Sequence, residues 1–358
     1  MTVRNDSPAT ETNPAPAASP APATSPAPAA PPRMASVGEP TGPILRDCVM
    51  HIHKPSDPCE GVVTKNELCT ASKKSAGFVR HIEFDVSGTA LAGRAIPGQS
   101  IGVLAPGLDA KGKLHKLRLY SLASPSAGED GNGNVLSTTV KRTIEEHWDT
   151  HGLFLGVCSN YLCDLQPGDR IKLAGPSGKR FVLPAQAHEH DYLFFATGTG
   201  IAPFRGMIAD LLATSPQSKI ALVMGSPYAT DLLYHHHFES LAASNSNFTY
   251  HPALSRESNQ ARTNSGPLAR MYVQDRIAAD ADVLVPLLAS ERTLIYICGI
   301  AGMELGIFQQ LIRTLPPSSA EQYVTCTAEV RSAIDGWART MLHRDIYLSR
   351  RVMMEVYA

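Results

Sequence analysis

The order of strand-like and helix-like segments predicts a two-domain chain: an N-terminal antiparallel six-stranded β-barrel, then an α/β domain with a doubly wound parallel sheet. Three observations carry this expectation. The chain has 358 residues, more than one hydrophobic core usually fills. Between Gly61 and Gly178 short β-like runs recur between turn signals, the texture of a small barrel. After Pro184 the texture changes to strand, glycine turn and helix, which is the α/β pattern.

Residues 13–32 are almost wholly Pro, Ala, Ser and Thr, a composition that cannot bury apolar surface, so 1–42 is expected to be a disordered tail. A transit segment is the competing reading, and Asp6, Glu11 and the scarcity of Arg count against it. Residues 42–58 read as a lead-in that wraps the first domain; His51 and His53 within it suit a solvated loop better than a metal. The barrel domain, 43–184, is expected to hold strands at 62–68, 79–86, 100–104, 116–122, 135–141 and 170–174. Gly88, Pro97-Gly98, Pro106-Gly107, Gly131-Asn132-Gly133 and Pro167-Gly168 supply its turns. The α/β domain, 185–358, follows with strands at 191–196, 220–224, 248–253, 293–298 and 352–357. Helices at 202–213, 232–243, 268–279 and 302–314 alternate with them.

Thirty-two Lys and Arg against thirty-three Asp and Glu leave a net charge of -1, so no global field points to nucleic acid or an anionic membrane. The seven cysteines are scattered, odd in number and without the close pairs of a zinc or iron–sulfur site, which fits a reducing compartment. There is no apolar run long enough to span a bilayer and no secretory-type apolar N-terminal core, so a soluble, cytoplasmic protein is expected. An organelle stroma would follow if the tail were a transit segment.

Four places carry candidate chemistry. In KLHKLRLYSLAS, residues 113–124, a strand would put Arg118 and Tyr120 on one face and Ser121 on the other. Arg118 could hold a pyrophosphate bidentately and Tyr120 could pack on a ring system; a plain barrel strand with an exposed Arg is the alternative. The turn ATGTGIAPFR, residues 196–205, between a strand and a helix, has glycines that admit an anion, Pro203 in the first helical turn and a favourable helix dipole. It is not the Rossmann G-x-G-x-x-G pattern. At a second strand end, YICG, Cys298 is either a ligand neighbour or a small buried apolar residue. In GVCSNYLCDL, Gly156 and Ser159 offer donors to an anion and 161–165 reads as a short helix. Ser255, Arg256, Arg270 and Tyr272 could surround a phosphate and a purine, or form a solvated face.

Taken together these residues resemble the plant-type ferredoxin–NADP⁺ reductase family, over roughly residue 59 to the C-terminus. KLRLYSLAS, VKR at 140–142, GVCSNYLCDL, GPSGK, ATGTGIAPFR, LSRE, MYVQ, YICGIAGME and EVY stand in the family's order at compatible spacing. The resemblance implies FAD on the barrel and NADP(H) on the α/β domain. It implies that Arg118 holds the FAD pyrophosphate, that Tyr120, with Leu119 in the same strand, packs on the isoalloxazine, and that Ser121 bonds near its N5. Thr139, Val140 and Lys141 would line the flavin site, and Gly156, Val157, Cys158 and Ser159 would hold the pyrophosphate. Thr199, Gly200, Ser226, Pro227 and Gly299 would contact NADP(H), with Ser255, Arg256, Arg270 and Tyr272 on its 2′-phosphate side. Cys298 and Glu355 would complete the hydride-transfer site with Ser121, and Tyr357 would stack on the exposed flavin face until nicotinamide displaces it.

The implied activity is one-electron exchange with ferredoxin or flavodoxin coupled to hydride exchange with NADP(H). A reductase component feeding an oxygenase is the alternative, and a catalytically silent flavoprotein scaffold is disfavoured by Ser121, Cys298 and Glu355. No metal is expected, because three successive histidines, His235, His236 and His237, point different ways around a helix. The chain departs from the family's pattern in four ways: Ala358 follows Tyr357, Thr139 stands where Cys is common, Arg270 stands where Lys is usual, and TIEEHW lacks the second aromatic near Glu145 that helps hold the FAD adenine. Trp148 and Trp337 are expected to be packing residues. Arg331, Arg344, Arg350 and Arg351 are expected on a C-terminal helical stretch, either solvated or facing an acidic carrier.

Overall fold

Alternation of apolar and polar side chains builds the first sheet. In the computed structural model, which describes residues 42–70, 78–260 and 267–357, strand β1 (Cys59–Leu68) begins with strictly alternating buried and exposed positions. It is joined by β2 (Val79–Asp85), β3 (Ser100–Leu104), β4 (Arg118–Ser121), β5 (Val135–Lys141) and β6 (Arg170–Ser177). The six strands are antiparallel in the order β4-β3-β6-β1-β2-β5. The edges meet: Leu122 bridges Thr138, Ala123 N–H donates to the Ser137 carbonyl at 2.8 Å, and Thr138 Oγ1 donates to the Ser121 carbonyl at 2.7 Å. The barrel is therefore closed by the continuation of β4 onto β5, which removes the exposed edges an open sheet would carry. Val63, Ile82, Phe84, Ile101, Val103, Leu136 and Leu173 fill its interior.

The tail expected at 1–42 lies, but for residue 42, outside the described residues. The lead-in after it runs along the barrel and the connection beyond it, through bridges from Leu45 to Pro184 and from His53 to Gly175. His53 is consequently half-buried, where a solvated loop was expected.

The second sheet is wholly parallel. Strands β7 (Asp191–Thr197), β8 (Ile220–Ser226), β9 (Phe248–Leu254), β10 (Thr293–Ile300) and β11 (Val352–Tyr357) lie in the order β9-β8-β7-β10-β11. Both faces of β7, β8 and β10 are covered, so these strands are almost continuously apolar rather than alternating. One face packs on α2 (Ile201–Thr214) and α3 (His235–Ser244), through Phe204, Met207 and Phe238; α1 (Val157–Asp164) belongs to the barrel. The other face packs on α4 (Ala281–Ala289) and α5 (Met303–Thr314), through Leu284, Leu288, Phe308 and Leu311. The winding reverses between β7 and β10, and the crevice outside their C-terminal ends is where open α/β sheets bind ligands.

The two sheets are held together by polar contacts as well as packing. Arg205 of α2 reaches Glu129 with both terminal nitrogens, at 2.5 and 3.0 Å, and also donates to the Ala123 carbonyl at 3.0 Å. Its guanidinium lies over the Tyr234 ring, whose hydroxyl bonds His81 Nδ1 at 2.9 Å and Thr139 Oγ1 at 2.7 Å. Gly206 sits so close to the Ser124 carbonyl that a side chain there would collide with it. No described helix is long and apolar enough to cross a membrane.

Three expectations are corrected. The helix expected at 268–279 begins later: Met271 N–H donates to the Leu254 carbonyl at 2.9 Å, which keeps 268–272 extended, and helix resumes at Arg276–Ala279 and α4. The arginine-rich C-terminal stretch is not one helix. Arg331 lies on the short helix Ala328–Ser332, whereas Arg344, Arg350 and Arg351 lie in turns around the strand pair Val324–Cys326 and Ile346–Leu348. Trp337 is buried and donates to the Val330 carbonyl at 2.9 Å, but Trp148 is 91% exposed at a hairpin turn among the described residues.

Candidate functional site: two dinucleotide seats and the cleft between them

The barrel seat is assembled from segments distant in sequence. Helix α1 starts at Val157, four residues earlier than expected, and no side chain caps it. Its first internal bond runs from Asn160 N–H to the Gly156 carbonyl, leaving the amides of Val157, Cys158 and Ser159 free of main-chain partners in the helix. An eight-residue helix with three open amides can seat an anion. Arg118 on β4 is exposed, has no ion-pair partner among the described residues, and is close enough to Cys158 and Tyr120 for its charge to favour ionisation of both. Burial outweighs that charge and pushes the Tyr120 phenol and the Cys158 thiol up, so both stay neutral. A cation on a strand facing a helix start, with a half-buried ring beside it, fits a flavin dinucleotide: pyrophosphate at α1 and Arg118, ring system along Leu119 and Tyr120.

The three β5 residues divide. Val140 points into the barrel core, the Thr139 hydroxyl is turned away to Tyr234, and only Lys141 is exposed. For Thr139 and Val140, any contact with a ligand would be made by the main chain.

The α/β seat is contiguous. Strand β7 ends at Thr197, Gly198–Gly200 makes one tight turn with Gly198 at φ 53°, and α2 follows. Gly200 lies against the Cys298 carbonyl, where a Cβ would collide with the main chain of β10, and Gly299, at φ 149°, lies equally close to Thr197. Both positions require glycine on space alone. The register of the parallel ladder sets Cys298 beside Glu355, Gly299 beside Val356 and Ile300 beside Tyr357. Tyr357 closes the turn, its hydroxyl 2.8 Å from Thr199 Oγ1. Burial pushes the Tyr357 phenol up to about 12 and the Cys298 thiol higher still, and it raises the Glu355 carboxyl above the usual carboxylate range.

Further along the same sheet edge, Ser255 N–H donates to the Ser226 carbonyl and Arg256 N–H to the Pro227 carbonyl, each at 3.0 Å. The Met271–Leu254 bond brings Arg270 and Tyr272 to this place, with Arg256, Arg270 and Tyr272 exposed. The barrel and the parallel sheet share one cleft. Glu355 and Met354 line a space of about 320 Å³ with Gly98, Lys179, Phe181 and Met50 of the lead-in. Leu122, which follows Ser121, is bonded through its N–H to the carbonyl of Gln99, next to Gly98.

Sequence reasoning missed Thr197, whose Oγ1 accepts from Ile300 N–H at 3.0 Å and ties the nucleotide turn to β10. It also missed the strand pair Ile144–Glu146 and Leu153–Leu155, whose signal was the apolar run LFL between Gly152 and Gly156.

A closed barrel with an open helix start, followed by a parallel sheet with a nucleotide turn at its switch point, defines a two-domain oxidoreductase working between two dinucleotides. Residues 194–308 match the oxidoreductase NAD-binding domain family. The chain is 38% identical over 281 residues to a ferredoxin–NADP reductase of Thermosynechococcus vestitus, covering 77% of this chain and 70% of that one. It is 39% identical over 267 residues to the enzyme of the same name from Spirulina, covering 73% of this chain and 88% of the relative. A solved ferredoxin–NADP⁺ reductase from Plasmodium falciparum superposes with a TM-score of 0.61 at 22% identity, covering 86% of this chain and 99% of that chain. The chain belongs to the ferredoxin–NADP reductase family.

Proposed function

We propose that the protein transfers electrons between ferredoxin, or flavodoxin in its place, and NADP(H) through FAD held on the barrel. The observation that carries this reading is the ladder register that sets Cys298 beside Glu355 and Ile300 beside Tyr357 at the switch point, with Glu355 on the cleft it shares with Gly98, Lys179 and Phe181. When bound, FAD accepts electrons singly and exchanges them in pairs with the nicotinamide. The protein's own work is orientation, exclusion of water and control of one proton.

Arg118 and the open amides of Val157, Cys158 and Ser159, with Gly156 before them, hold the pyrophosphate, and Leu119 and Tyr120 support the ring. Thr139, Val140 and Lys141 border it from β5. Thr199, Gly200, Ser226, Pro227 and Gly299 seat NADP(H) along the sheet edge. Ser255, Arg256, Arg270 and Tyr272 grip the 2′-phosphate, which selects NADP(H) over NAD(H). Cys298 stays a neutral thiol beside the nicotinamide because burial holds its proton. Glu355, raised by burial, keeps its proton at higher pH than a solvated carboxyl and supplies it at the cleft it lines with Gly98 and Phe181, while Ser121 serves hydride transfer from the barrel side. Tyr357, bonded to Thr199, covers the nicotinamide position and leaves it when NADP(H) enters. Its stacking contributes about 0.5–1.5 kcal/mol, small enough for displacement in each turnover.

The reading also makes the barrel an FAD domain over 43–184 and the remainder an NADP(H) domain. The test is the purified full-length chain: visible flavin absorbance and dye reduction by NADPH in large excess over NADH support it. A colourless protein that stays colourless with added FAD and reduces no dye overturns it.

A further inference from the structure

The strand that carries Ser121 and the helix that leaves the nucleotide turn meet where Arg205 stands. Ser121 ends β4, and Ala123 lies about 7 Å of extended chain beyond it. Gly200 ends the turn, and Arg205 lies about 8 Å along α2 from it. Arg205 Nη1 donates to the Ala123 carbonyl at 3.0 Å, and at the next pair of residues Gly206 is pressed on the Ser124 carbonyl.

We propose that Arg205 is a positioning residue for hydride transfer: it fixes the separation between the strand ending in Ser121 and the nucleotide turn, and with it the gap the hydride crosses. The proposal rests on the function proposed above and adds to it the residue that sets this gap. The step moves one hydride, a proton with two electrons, from NADPH to the flavin; the nicotinamide is oxidised, and the reduced flavin takes a second proton from solvent. Three observations point to Arg205. First, it belongs to a closed ring of bonds. Arg205 holds Glu129 at 2.5 and 3.0 Å, Glu129 accepts from Ser137 Oγ at 2.6 Å, the Ser137 carbonyl accepts from Ala123 N–H at 2.8 Å, and the Ala123 carbonyl returns to Arg205. Ala123 is thus tied to α2 directly and again through β5. Second, the ring is stiff. Arg205 and Glu129 are only 17% and 14% exposed, so the pair cannot part without leaving a charge unmatched, and the guanidinium is also held 5.3 Å above the centre of the Tyr234 ring. Third, Arg205 lines a space of about 200 Å³ with Lys65, Cys69, His81 and His237, and the cleft lined by Glu355 has other walls. Losing Arg205 should therefore shift the two seats against each other without removing a contact to either dinucleotide.

Two variants test this. Arg205→Lys keeps the charge beside Glu129 and loses the two-pronged geometry; Arg205→Met combined with Glu129→Gln removes the ion pair and leaves no charge unmatched. Reduction of the flavin by NADPH in full-length holoprotein, followed by stopped flow, should slow about tenfold in Arg205→Lys. In the double variant it should slow up to roughly a hundredfold, the loss that a 1 Å misplacement can bring. Flavin content and the Kd for NADP⁺ should stay within twofold of wild type. Asp210→Ala cuts a second link from α2 to the barrel, at Ser126 and farther from the turn, and should slow the step less than twofold. In flavin-free protein, amide hydrogen exchange should quicken in residues 121–124 and 198–206 together when Arg205 is replaced by Lys. The proposal is overturned if both Arg205 variants reduce flavin at the wild-type rate, if rate and NADP⁺ affinity fall in parallel, if Asp210→Ala slows the step as much, or if exchange in the two segments is unchanged. Wild-type protein that binds no flavin or passes no hydride from NADPH overturns the proposed function itself. Wild-type protein that passes hydride alongside unaffected Arg205 variants overturns only the role of Arg205.

Discussion

Two helix starts in this chain are the proposed anion seats, and they are built differently. The start of α1 is open: its cation comes from Arg118, thirty-eight residues before Gly156, and the hairpin leading into it exposes its apolar side chains. The start of α2 is closed. Gly200 is pressed on the Cys298 carbonyl, and the hydroxyl of Tyr357 is bonded to Thr199. An open seat suits a cofactor that stays, because ligand and protein complete each other's surface once. A closed seat suits a substrate that must enter and leave, with Tyr357 as the proposed cover of the position between turnovers.

The largest expected effect sharpens the closed side. Charge-assisted hydrogen bonds contribute about 1.5–3 kcal/mol each, so Arg256→Ala combined with Arg270→Ala should raise the KM for NADPH by at least 10- to 150-fold and leave that for NADH within twofold. Steady-state kinetics with both nucleotides reads this, and equal losses for the two would separate these arginines from the 2′-phosphate. Next comes Gly200→Ala, whose Cβ would meet the main chain of β10. Overpacking of this kind costs about 1–3 kcal/mol, so thermal unfolding should fall by several degrees while flavin content at low temperature is retained. An unchanged melting temperature would mean that α2 and β10 can part freely.

Tyr357→Ser probes the cover directly. Removing a ring that stacks for about 0.5–1.5 kcal/mol should raise kcat/KM for NADH by roughly 2- to 12-fold and so narrow the preference for NADPH. No gain with NADH would remove Tyr357 from the gate. The smallest effect is one of pH. Burial raises the Glu355 carboxyl in the folded chain, so the native state binds more protons there than the unfolded state does, from the ordinary carboxylate range up to the raised value. Across that window Glu355 loses stability as pH rises. Glu355→Gln should therefore melt slightly above wild type at neutral pH and lose the advantage below the ordinary carboxylate range, as paired melting curves would show. A pH-independent difference would place the cause elsewhere.

What was legible in the sequence follows the range of the forces involved. Strands β3, β5 and β11 match expectation residue for residue, because their burial pattern and bounding turns are local signals. The nucleotide turn was readable for the same reason, all its parts lying within ten residues. The helix expected at 268–279 failed because a distant carbonyl, that of Leu254, draws Met271 into extended backbone. The bond of the Thr139 hydroxyl to Tyr234, which the fold brings from ninety-five residues away, has no local signal either. Arg205, Glu129 and His81 join the two sheets through contacts of that same range and carry no local signature. Trp148 was unreadable for the opposite reason: an exposed ring has no partner in the chain to betray its purpose.

The most direct measurement is NADPH-driven reduction of cytochrome c by the full-length protein, run with and without ferredoxin. A ferredoxin–NADP reductase should show a rate that rises and saturates with ferredoxin concentration, and that collapses when NADH replaces NADPH. A rate indifferent to ferredoxin, or equal with the two nucleotides, would contradict that function.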